Sequence, residues 1–122
     1  MNKHEDERGI IEDLKVGKDW SVTYISFKKG AVRGNHYHKE TRQVDYILNG
    51  SLKVSYREMG SIKKPVVGTL NTPGYGISFP INTAHAYEAL EDSEIVSVCF
   101  GKRIGENYEE DTFRLIGEDK LL

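Results

Sequence analysis

Gly30-Ala31-Val32-Arg33-Gly34-Asn35-His36-Tyr37-His38-Lys39-Glu40-Thr41-Arg42-Gln43-Val44-Asp45-Tyr46-Ile47-Leu48-Asn49-Gly50 is the stretch that decides how the rest of the chain is read. It sets two histidines at i and i+2, a polar turn, a glutamine, and an apolar run closed by Asn-Gly. Strand side chains alternate, so His36 and His38 are expected on one face, about 6–7 Å apart along the chain. The turn at Lys39 to Arg42 resets that parity. The strand after it is expected to point Gln43, Asp45 and Ile47 inward and Val44, Tyr46 and Leu48 outward. Asn49-Gly50 between two β-rich runs predicts a hairpin, because both residues tolerate positive φ.

Upstream, Trp20 to Phe27 is rich in β-branched and aromatic residues and carries apolar side chains on both parities, the pattern of a strand buried on both faces. Ile10 to Leu14 reads as a first strand and Lys15 to Asp19 as a turn. Met1 to Arg8 is almost wholly polar or charged and is expected to be a loose end. Downstream, Val66–Leu70, Gly76–Phe79, His85–Leu90 and Glu94–Phe100 read as further strands, with Glu91-Asp92-Ser93 as a hairpin loop between the last two. Glu106 to Leu122 reads as one helical turn or a last strand. Short strands at about ten-residue spacing with turn chemistry between them indicate an all-β sandwich or barrel.

The 122 residues suit one domain, expected to run over residues 1–122. Apolar residues make up 38%, charged residues 30%, and the net charge is −2 with both signs interspersed, so no nucleic-acid groove or membrane-surface patch is indicated. No apolar run approaches the length of a membrane span, and the N-terminal residues lack a signal peptide's apolar region. The single cysteine, Cys99, lies in an apolar strand and reads as an inert core thiol, which fits a reducing, cytoplasmic setting.

Two motifs carry a resemblance. Gly30, five residues, His36-x-His38, four residues, Gln43, six residues and Gly50 resemble the first motif of the cupin superfamily, with glutamine where most metal-binding cupins have glutamate. Gly74, five residues, Pro80, Asn82 and His85 resemble the second, with Asn82 in place of its glycine and Ala89 in place of its asparagine. The resemblance implies a double-stranded β-helix, a jelly-roll barrel, with the site inside it. By strand parity His85 and Tyr87 form a second same-face pair. The interior then gathers three imidazoles, an amide, a carboxylate and a phenol.

Three functions compete. The run Arg33-Gly34-x-His36-x-His38-Lys39 followed by Gln43 resembles cupins that act on nucleotide-linked keto-sugars, particularly the sugar-nucleotide 3,4-ketoisomerases and keto-sugar epimerases. Asp6-Glu7-Arg8-Gly9 resembles an opening shared with sugar 3,5-epimerases, and Tyr108 to Arg114 resembles their acidic segment after the last strand. The activity implied is an isomerase or epimerase moving a proton beside a ketone, with His36 as base and His38 as its partner. Strand parity offers Tyr87 or Asp45 as an auxiliary acid, and the Arg33 fork suits a diphosphate. The second reading is a metal-dependent dioxygenase or metallo-isomerase. His36, His38, Gln43 and His85 would there hold one divalent transition metal: Zn, Fe, Mn, Ni or Cu. The third is a non-catalytic small-ligand-binding cupin. Small cupins resemble one another in forming homodimers, and the two-faced strand Trp20–Phe27 has apolar surface to spare for such a contact.

Overall fold

Eleven antiparallel strands hold more than half of the described residues in the computed structural model, which describes residues 2–101 and 110–122. They are β1 Lys3–Asp6, β2 Gly9–Val16, β3 Trp20–Phe27, β4 Val32–Tyr37, β5 Arg42–Asn49, β6 Leu52–Glu58, β7 Val66–Leu70, β8 Gly76–Phe79, β9 Thr83–Ala89, β10 Ser93–Phe100 and β11 Phe113–Arg114. One sheet runs β1-β2-β3-β10-β5-β8 and the other β11-β4-β9-β6-β7. This is the jelly-roll arrangement that the resemblance implied, within the sandwich or barrel class that the spacing of short strands indicated. No helix among the described residues is long and apolar enough to cross a membrane.

Alternation places the core. Along β5, Gln43, Asp45 and Ile47 are buried while Tyr46 and Leu48 are exposed, as parity requires. Phe27, Ile47, Leu52, Val54, Leu70, Phe79, Tyr87, Ala89 and Ile95 pack into one cluster between the sheets. Ile47 and Leu52 are wholly inaccessible, and burying each side chain contributes about 1.5–3 kcal/mol.

The inner face of the first sheet is ordered in rows. Register aligns Ile11, Ile25, Ile95 and Ile47 across β2, β3, β10 and β5. The next row is Asp13, Thr23, Ser97 and Asp45, and the one after it holds Ser21, Cys99 and Gln43. The wall therefore passes from apolar to polar as it leaves the core. Cys99 is buried and unpaired, and burial pushes its thiol up to about 12, an inert state.

Four expectations need correction. Met1–Arg8 is not a loose end, because Lys3–Asp6 forms β1 against β2; its side chains mostly face solvent, so no apolar alternation marks it, and backbone pairing with the Asp6–Arg8 bonds across the turn holds it. Asn49-Gly50 does not close a hairpin, since β5 and β6 lie in different sheets and the turn is a corner between them. Only Gly50 takes positive φ there (95°), and it backs onto Asp92 and Ser93. Glu91–Ser93 is likewise a corner between sheets, bonded to the first through Ser93 Oγ, which accepts from Ser51 N at 2.9 Å. Finally, β3 is not buried on both faces. Its outward residues Trp20, Val22 and Tyr24 join Val44, Tyr46, Val96, Val98 and Phe100 in an apolar face left partly exposed among the described residues, with Trp20 38% and Tyr46 43% exposed. The tail combines both expected forms, strand β11 and a 3-10 turn at Gly117–Asp119. Tyr108 and Glu109 of the acidic segment lie outside the described residues.

Candidate metal centre

β4 and β9 bring the imidazoles together. His36 and His85 are direct cross-strand partners, after a register slip between Gly34 and His36 that leaves Asn35 bulged at φ 55°. Gly34 itself sits at φ 90°, and a Cβ there would stand 2.8 Å from the His85 carbonyl oxygen. His38 follows one residue beyond the end of β4. The ring centroids of His36 lie 4.9 Å from His38 and 4.8 Å from His85. Each ring offers one nitrogen such that all three atoms fall within 4.8 Å of one another.

Hydrogen bonds fix which nitrogens these are. A carbonyl oxygen only accepts, so His38 Nδ1 donates to Asp111 O at 3.0 Å and His85 Nδ1 donates to Thr83 O at 3.1 Å. Both rings therefore turn Nε2 toward the cluster. Buried His85 Nε2 and His36 Nδ1 have no partner among the described residues, and neither has Gln43 Oε1. Gln43 spends its amide nitrogen on both Asp45 oxygens, at 3.0 and 2.8 Å, which turns its oxygen away from that carboxylate. Burial is the main force holding His36 well below the usual histidine value, and it brings His85 down to about 4. Neutral rings with free lone pairs, buried beside an orphaned amide oxygen, fit a divalent transition metal. Leaving such atoms buried and unpaired otherwise costs about 1–3 kcal/mol each.

The surroundings are polar but organised. Asp45 is fully buried, and burial pushes its carboxyl up against the pull of Ser97, Tyr87 and Gln43. Tyr87 donates to it at 2.6 Å, and burial together with the Asp45 charge raises the phenol far above its usual value. Arg33, expected to pair with a diphosphate, is 7% exposed, donates to Ser26 O at 3.1 Å and lies 5.4 Å over the Phe27 ring. Its Nε is buried with no partner among the described residues. A cavity of about 530 Å³ is lined by His36, His85, Gln43 and Tyr87, with Arg33 and Arg114 in its wall; His38 belongs to the cluster but not to the wall.

Sequence reasoning missed the supports. Asp111 accepts from Lys39 N and Glu40 N and from Thr41 Oγ1 at 2.8 Å, while its own carbonyl holds His38. Phe113 stacks on Tyr37 with centroids 5.3 Å apart. Asn35 binds Leu121 N and Leu122 O through its side chain and Leu115 N through its carbonyl. Only the acidic character of the tail hinted at any of this.

With that geometry in view, a family model described as the polysaccharide biosynthesis C-terminal domain matches residues 4–113. The chain belongs to this family. Among solved structures it is similar to the capsular polysaccharide assembling protein CapF from Staphylococcus aureus, with a TM-score of 0.78 at 19% identity, covering 95% of this chain and 34% of that one. KdgF from Halomonas superposes with a TM-score of 0.68 at 24% identity, over 85% of this chain and 89% of KdgF. The oxalate decarboxylase of Bacillus subtilis, a protein with Mn(II) centres, gives 0.76 at 19% identity, over 93% of this chain and 30% of that one. A curated oxalate decarboxylase from Arthroderma benhamiae is 29% identical over 92 residues, 75% of this chain but only 20% of the relative. This family member therefore spans about a fifth of the curated relative and about a third of CapF. The shared architecture is that of the cupins.

Proposed function

We propose that this domain is a metal-dependent cupin enzyme acting on a small anionic sugar derivative. The observation that carries the proposal is the set of buried, unpartnered ligand atoms, His36 Nδ1, His85 Nε2 and Gln43 Oε1, around a three-imidazole cluster. His36, His38 and His85 would hold a divalent ion of the Zn, Fe, Mn, Ni or Cu group, with Gln43 as a neutral oxygen donor. Bound there, the ion supplies Lewis acidity toward a carbonyl oxygen. Arg33 Nε is the group placed to take the substrate's anionic end. Tyr87 donates to Asp45 at 2.6 Å on the cavity wall, and the two are the proposed acid/base pair. The family match to polysaccharide biosynthesis supports a carbohydrate-derived substrate.

The metal-free reading, an isomerase or epimerase of a nucleotide-linked keto-sugar with His36 as base, keeps support from Arg33 and from the family match. Burial weighs against it, because an imidazole held well below its usual value is a weak base for a proton beside a ketone. Elemental analysis of protein purified without an affinity tag separates the two. One transition ion per chain, lost in His85→Asn, is expected; protein that takes up no ion after soaking in Mn(II), Zn(II) and Fe(II) overturns the metal reading. Exchange of solvent deuterium into a nucleotide-linked keto-sugar by metal-stripped protein would favour the other. The partly exposed apolar face of β3, β10 and β5 supports a homodimer, and light scattering from a stable monomer overturns that part.

A further inference from the structure

The polar row of the first sheet is not used by the histidine cluster, yet Asp13, Thr23 and Ser97 all line the same cavity. We infer that the Asp13–Thr23–Ser97 row is a hydroxyl-reading subsite that restricts the cavity to polyhydroxylated acids. The inference deepens the proposed function, on which it rests for the location of the reacting end.

Register sets these three residues side by side on β2, β3 and β10, with Asp45 completing the row on β5. Two interstrand spacings make the three-residue row about 10 Å long, enough to meet several consecutive carbons of an extended chain. Thr23 Oγ1 donates to Asp13 Oδ1 at 3.0 Å. That bond consumes the Thr23 hydrogen, Ser97 is engaged with Asp45, and Asp13 Oδ2 and the Thr23 oxygen are left as acceptors, so the row seeks ligand groups that donate. Hydroxyls do so; carboxylates and alkyl chains do not. The neighbouring row, Ile11, Ile25 and Ile95, presents methyl groups along the same wall. A surface with acceptors on one line and branched alkyl groups on the next matches a sugar chain, which has O–H edges and C–H faces.

Charge sharpens the assignment. Arg33 Nε, buried and unpartnered, asks for an anion, whereas Asp13 across the cavity repels one. A molecule carrying an acid at one end and hydroxyls along the rest satisfies both. A short dicarboxylate satisfies only Arg33 and sets its second charge toward Asp13.

Calorimetric titration of the full chain with D-gluconate, hexanoate and oxalate tests this. The metal-loaded protein is expected to bind gluconate at least about tenfold more tightly than either of the others. Thr23→Val keeps the shape and β preference of the strand and removes the hydroxyl. It is expected to weaken gluconate about five- to tenfold and leave hexanoate unchanged. Ser97→Ala is expected to act in the same direction. Equal affinity for the three acids, no measurable gluconate binding, or an equal loss for all three in Thr23→Val overturns the subsite. Metal content is measured on the same samples, and the ratio of gluconate to hexanoate affinity is read on metal-stripped protein as well. Absent metal with a preserved ratio sinks the metal reading alone; metal with no preference sinks the subsite alone.

Discussion

The two walls of the cavity are built on different principles. On the β4–β9 side, His85 on the wall and His38 behind it are pinned through Nδ1 to backbone carbonyls and His36 is set by a direct cross-strand register, so their positions follow the main chain. On the β2–β3–β10–β5 wall, side chains hold side chains: Thr23 binds Asp13, and Gln43 binds Asp45, which Tyr87 also reaches from β9. Backbone-set positions cannot drift without moving a strand, whereas side-chain pairs can be exchanged one at a time. The first wall suits a ligand set whose spacing must be kept, and the second suits recognition that can vary between relatives.

The largest effect should come from breaking the rigid wall itself. His85→Asn is expected to lower Co(II) affinity by more than a hundredfold, read from the cobalt absorption spectrum; near-native affinity would show that the cluster is not a metal centre. Unmooring the wall from outside should cost less. Asp111→Ala removes the acceptor of Lys39 N, Glu40 N and Thr41 Oγ1 and frees the segment whose carbonyl holds His38. A tenfold to hundredfold loss in Co(II) affinity is expected, with about 2–3 kcal/mol lost in urea melts. Stability lost without any change in cobalt affinity would make Asp111 a purely structural residue.

Acid should discriminate between the walls. The folded His85 ring sits at about 4 against an ordinary 6.5, so between those values the unfolded chain binds a proton that the native state does not. Stability of metal-stripped protein is therefore complete above pH 6.5 and falls as pH drops toward 4, by on the order of 3 kcal/mol for this ring. His36 acts with the same sign. Asp45 acts oppositely, since a carboxyl raised by burial favours the folded state as it protonates. Thermal melts of wild type and His85→Gln between pH 7.5 and 4.5 isolate the ring, and parallel curves would refute its share. The smallest effect on the site should come from the outer face. Tyr46→Lys, 43% exposed in the single chain, is expected to convert dimer to monomer with less than about a twofold change in cobalt affinity.

What could be read in advance was what alternation and spacing control. The parity of Gln43, Asp45 and Ile47 needed only a period of two and a turn that resets it, whereas the convergence of His85 on His36 and His38 was legible through the resemblance of the second motif. Pairing was harder. Asn49-Gly50 signals that the chain reverses, but not whether the following run returns to the same sheet; here Ser51 and Ser93 tie two corners together instead. β1 was invisible because a solvated edge strand needs no apolar pattern. Asp111 was invisible for another reason: its partners are main-chain groups some seventy residues away, and main-chain groups have no sequence signature. Arg33 showed its chemistry but not its burial, which depends on Phe27 lying beneath it.

Gly34 turns one of these geometries into a tolerance. The gap between β4 and β9 closes because no methyl group stands between Gly34 and the His85 carbonyl, 2.8 Å from where one would sit. Any side chain there is a wedge driven between two strands, and it would widen the bite of the His36–His85 pair before it disturbed either ring. The gauge that would size an ion at the cluster is thus an absent atom two residues before His36.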